Sequence, residues 1–160
     1  PNQVLVGLAL FLTWFIMSPI FIQINTEAVK PLTDGRINFE QAYEVGIKPL
    51  RTFMYKQTNT KDIRLFLDIA GINEVKDMDE IPTNVLIPAF IISELRAAFI
   101  IGFCIYIPFL VIDMVVSSTL MSMGMMMLPP VMISLPFKVL LFVMVDGWGL
   151  LTETLIGTYR

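Results

Sequence analysis

The chain has 160 residues, with 11 lysines and arginines against 14 aspartates and glutamates, a net charge of −3. Hydrophobic residues make up 56% and charged residues 16%, with a mean hydropathy of +0.73; ordinary soluble domains are about a quarter charged, so this is the composition of a membrane protein or membrane complex. The few scattered cations exclude a basic nucleic-acid surface, and the lack of histidine beside a single cysteine, Cys104, argues against zinc, haem or an intrachain disulfide.

The chain opens at Pro1 without an initiator methionine, which reads as a fragment or processed chain with upstream segments missing. Residues 1–22 form the first predicted element. Val4 to Ile22 carries no charge and approaches the ~20 residues that cross a bilayer core. Ser18-Pro19 predicts a kink near its end, and Trp14 suits a polar boundary.

Residues 23–84 are mixed and mildly acidic, and read as a small helical soluble insert. Asn38 with Gln41 three residues on predicts a capping box, followed by Phe39, Ala42 and Tyr43 at helical spacing. Pro49 suits the first turn of a second helix through Leu50, Phe53 and Met54. Asn59 then opens a third, with Ile63, Phe66, Leu67 and Ala70 on one face and Gly71 as its stop. Asn73 to Pro82 is an irregular acidic connector.

Residues 85–160 form a second apolar region, predicted to be a helical hairpin. Its outgoing helix, from about Asn84 to Met123, would be about 60 Å long at ~1.5 Å per residue, too long for one crossing, so bends are expected at Gly102 and Pro108. Gly124-Met125-Met126-Met127-Leu128-Pro129-Pro130 cannot continue a helix, because proline lacks an N–H and clashes with the preceding turn. The chain therefore turns at 124–130, with Gly124, Pro129 and Pro130 as the turn residues. A return helix follows from Val131 to about Leu151. Three methionines make a poor water-facing loop; they either fill a core or, being flexible and polarizable, form a deformable seal. Taken together the chain is all-α, with kinked membrane-associated helices around a small insert.

Four charged groups, Glu94, Asp113, Lys138 and Asp146, interrupt the apolar region. Each would cost roughly 2.5–3.5 kcal/mol at the centre of a lipid-facing helix, so they need partners. Counting outward from a turn centred near residue 127 puts Asp113 level with Val139 to Leu141, one turn from Lys138. These groups read either as contacts between helices or as a proton or ion relay, the latter implying an ion-coupled secondary transporter. Ala98 with Gly102, and Ser117, Ser118 and Ser122, fit close helix contact. No Gly-rich phosphate loop, GxSxG elbow or HExxH helix occurs, so neither an enzyme nor a cofactor is expected.

Phe99 to Trp148 carries ID-x-V-x-x-S, G-M-M-M-x-P-P, L-P-F-K and V-D-G-W in order, and with Pro1 to Pro19 it resembles the FliP family, a membrane subunit of the bacterial flagellar type III protein export gate related to injectisome subunits. Members of that family carry a further signal peptide and first helix. The resemblance implies a non-enzymatic subunit that forms a pentameric ring in the bacterial inner membrane, at the flagellar basal body. Its implied partners are FliQ-like, FliR-like, FlhA-like and FlhB-like subunits and unfolded flagellar export substrates. It further implies a pore gasket at Met125, Met126 and Met127, assembly roles for Glu94, Asp113, Lys138 and Asp146, and a periplasmic insert.

Overall fold

The computed structural model describes residues 2–72, 75, 77–125 and 127–159. Among them every regular element is helical. Backbone contacts divide the chain into two units, the first holding residues up to Arg96 together with Tyr159, the second starting at Ala97.

In the first unit, α1 (Asn2–Ile24) includes Pro19 and passes through a wider π-helical turn, Asn25–Val29, directly into α2 (Lys30–Thr33). The apolar helix thus runs on into the start of the polar region as one 32-residue stretch, Asn2–Thr33. A reason lies in its packing: Ala28, in the π turn, is 4% exposed and faces Gly46 of α3 (Phe39–Gln57), where an added Cβ would stand 3.2 Å from the Ala28 Cβ.

Asn38 caps α3 as predicted, its side chain accepting from the Gln41 N–H at 2.8 Å while Gln41 Oε1 accepts from the Asn38 N–H at 3.1 Å. Pro49 does not begin a new helix. It lies buried inside α3, which continues to Gln57 because a single proline deletes one backbone bond while the apolar face on either side of it stays in contact with its neighbours. Helix α4 (Thr60–Ile69) starts at Asn59 and stops at Gly71, both as expected.

The first half of α5 (Thr83–Ser122) packs on α4 and the connector. Ile63, Ile81, Val85, Leu86 and Ala89 form the buried core here, flanked by Met54, Phe66 and Leu67. Arg51 holds the connector in place: its guanidinium donates to the carbonyls of Ile81 at 2.6 Å and Met78 at 3.2 Å, and to the Thr83 hydroxyl. Those carbonyls face the end of a short helical turn, Met78–Glu80, and a charged fork with several donors suits them.

The second unit contains the rest of α5, then α6 (Pro130–Met144) and α7 (Gly147–Thr158). Helix α5 passes Gly102 and Pro108 as one unbroken helix of 40 residues. The return arm is different from its prediction. A single helix to Leu151 was expected, but α6 ends at Met144 and α7 departs at 60°. The break falls at Asp146, whose φ of 49° lies in the left-handed region that no helix interior accommodates. Asn2–Thr33 and Thr83–Ser122 are each long and apolar enough to cross a membrane, and α6 with α7 makes a third such stretch if the bent pair counts as one.

Candidate functional site

Lys138 and Ser134 are four residues apart on α6 and share a face, so both can reach one group on a neighbouring helix. That group is Asp113, on α5. Lys138 Nζ lies 2.6 Å from Asp113 Oδ2, and the Ser134 hydroxyl donates to Asp113 Oδ1 at 2.5 Å. Ser134 is fully buried, and its oxygen lies 3.1 Å from the Val131 carbonyl as well. The side chains of Lys138 and Asp113 are 20% and 25% exposed. Each carboxylate oxygen has its own donor, as a charge placed between apolar helices requires.

This pairing was legible from the turn position and helical rise. Ser134 was not singled out, although its spacing from Lys138 was the available signal. The serines that were singled out behave differently: Ser122 bonds back within α5, to the Ser118 carbonyl at 2.8 Å.

The turn between α5 and α6 is built by backbone chemistry. Gly124 has φ 75°, its N–H bonds to the Met121 carbonyl at 3.0 Å, and the Met125 N–H bonds to Leu120 at 3.0 Å, the double closure that ends a helix at a left-handed glycine. Pro129 precedes α6 in extended conformation and Pro130 occupies its first turn, where a missing N–H costs nothing. Met125 is 46% exposed and Met127 98%. Met126 lies outside the described residues.

The remaining two charges have separate settings. Glu94, in the first unit, accepts a hydrogen bond from the Tyr159 hydroxyl at 2.5 Å, and the Tyr159 ring stacks on Phe53 at 6.1 Å between centroids. Asp146 sits at the α6–α7 break and, among the described residues, makes no ion pair. Arg96 pairs with Asp62 at 2.7 Å, a contact between α5 and α4 that sequence reading missed because the two lie far apart in the chain. No group of three or more potential metal-ligating side chains occurs among the described residues.

The arrangement is that of a helical membrane-type protein in which Asp113 and Lys138 pair between two apolar helices. Residues 1–155 match the FliP family model, and the chain belongs to that family. It is 57% identical to the flagellar biosynthetic protein FliP of Bacillus subtilis, over 99% of this chain and 72% of that one. The proteins of the same name from Borreliella burgdorferi and Pectobacterium carotovorum are 53% and 52% identical, again over 99% of this chain, which spans 64% and 62% of their lengths.

Proposed function

We propose that this chain is a pore-forming subunit of the flagellar type III protein export gate, one of several copies around an axis through which unfolded flagellar proteins leave the cytoplasm. Family membership and the names of its relatives support the flagellar assignment. The observation that carries the pore reading is the exposure of Met125 and Met127 on a tight turn between two apolar helices. A ring of such turns places soft thioethers around a constriction. They deform around a passing chain and close behind it, where branched side chains would leave gaps. In this reading the protein is a multi-pass subunit of the inner membrane with the insert of residues 23–84 on the periplasmic side. FliQ-like and FliR-like subunits complete the ring, and FlhA-like and FlhB-like components dock to it.

The large apolar side chains left exposed on α5 and α6, among them Phe99, Phe103, Val131 and Val143, are the surfaces that neighbouring subunits would cover. The direct test is ionic conductance. Replacing Met125, Met126 and Met127 together with alanine should raise small-ion leakage through the assembled complex. Unchanged conductance with normal assembly would remove the gasket role.

A further inference from the structure

Asp146 joins two helices through its own peptide groups. Its N–H bonds back to the Val143 carbonyl of α6 at 3.2 Å, and its carbonyl accepts forward from the Leu150 N–H of α7 at 3.0 Å. Between these bonds the backbone turns through a φ of 49°, which asparagine and aspartate tolerate far better than other side chains and glycine adopts freely. The aspartate carboxylate comes to rest over Gly149, in the place where a Cβ would be. It therefore lies against the first turn of α7, where a negative charge opposes the partial positive charge of the free N–H groups.

The neighbouring glycine is fitted to the same bend. A Cβ on Gly147 would overlap the ring of Phe142, which stands edge-on to Trp148 at 5.3 Å and tilted against Phe109 at 6.5 Å. Three features thus converge on three adjacent positions: a left-handed aspartate, a glycine under an aromatic ring, and an indole closing that ring from the far side. At 15 and 12 residues, α6 and α7 are individually shorter than the ~20 residues of a bilayer crossing, so this bend decides the course of the whole return arm.

We infer that Asp146 is the pivot of a fixed elbow between α6 and α7, holding the 60° bend by its backbone conformation and by its side chain's seat over Gly149. A fixed elbow ties the direction of α7 to the α6 face that carries Ser134 and Lys138. The inference concerns folding and stands whether or not the export reading holds.

The test compares D146N, D146G and D146A in the full-length protein extracted from membranes in detergent. A Trp14→Phe background leaves Trp148 as the one indole of these 160 residues, so thermal unfolding followed by tryptophan fluorescence reports on the elbow. D146N and D146G should keep the folding equilibrium constant, read from the melts at one common temperature within the transition, within about twofold of wild type. D146A should lower it between about fivefold and thirtyfold, the factor that corresponds to placing an ordinary side chain in left-handed backbone. Any other ranking overturns the inference: a wild-type D146A would mean the conformation is not constrained, and equal failure of D146N and D146A would mean that the negative charge itself is required. A second pair checks the carboxylate's seat. G149A should be costly alone and milder when combined with D146G; an equal cost in both backgrounds would dispose of that contact.

Discussion

Ser134 and Asp113 meet at 2.5 Å although 21 positions separate them, and the serine is fully buried while doing so. The hydroxyl occupies the carboxylate oxygen that Lys138 leaves free. Both carboxylate oxygens are thus held by donors of α6, so the contact ties α5 to α6.

If the chain assembles as proposed, Asp113→Asn should reduce formation of the complex, because it strands the Lys138 ammonium between apolar helices. A double variant, Asp113→Asn with Lys138→Met, should assemble better than Lys138→Met alone, since one-sided removal leaves a charge without a partner and two-sided removal does not. Ser134→Ala should act in the same direction with a smaller effect. Native gel electrophoresis of detergent extracts reads all four. An Asp113→Asn complex that assembles normally yet no longer transports would instead support a relay.

What the sequence disclosed was whatever depended on local spacing. The Asn38 capping box, the Gly71 stop and the turn at Gly124 were each legible because the residues that make them lie within a few positions of one another. The Asp113–Lys138 contact was legible because a hairpin with a known turn fixes its cross-helix register. Other features escaped, among them the Asp62–Arg96 pair and the unbroken passage of α5 through Pro108. Pro49 looked like a helix start, since the rule for proline in a first turn is local whereas its tolerance inside α3 comes from the contacts of the flanking face. The α6–α7 break was missed because the apolar run on either side of V-D-G-W reads as continuous helix and outweighed the Asp146-Gly147 pair, which is itself a turn signal. Ser134 went unnoticed because a neutral residue gives no warning that it will bind a charge.

The Arg51 fork makes a second prediction. Arg51→Ala leaves the Ile81 carbonyl without its donor, while the Met78 carbonyl keeps the Ile81 N–H; at about 1–3 kcal/mol for such a part-buried group, it should lower the unfolding midpoint by several degrees. Arg51→Lys should recover only part of this, because one ammonium cannot span the Met78 and Ile81 carbonyls and the Thr83 hydroxyl in the geometry of a planar fork. Circular dichroism melts of the three proteins would check the order; equal midpoints for the lysine variant and wild type would contradict it.

Gly124 supplies a third. An added Cβ would meet nothing within 4 Å, so the cost of Gly124→Ala is purely that of left-handed backbone, about 1–2 kcal/mol. Gly124→Asn should be milder, as asparagine visits that region more readily. If the methionine turn seals a pore, both should also raise ionic leakage in that order, because the turn presenting Met125 and Met127 would be less firmly held.

The Asp62–Arg96 pair separates two kinds of electrostatic contribution. Asp62 is 3% exposed and one of its oxygens is buried without a hydrogen bond among the described residues, whereas Arg96 remains half exposed to solvent. Removing the arginine leaves a buried carboxylate with no counter-charge; removing the aspartate leaves an arginine free to reach water. Arg96→Ala should therefore destabilise the insert more than the exposure of Arg96 alone would imply, by about 1–3 kcal/mol, below the ~3–5 kcal/mol of a pair buried on both sides. Asp62→Asn in the Arg96→Ala background should return part of that loss, since the neutral amide costs less to bury than a charge. Denaturant unfolding of the single and double variants measures the coupling, and additive effects would show that the two side chains contribute separately.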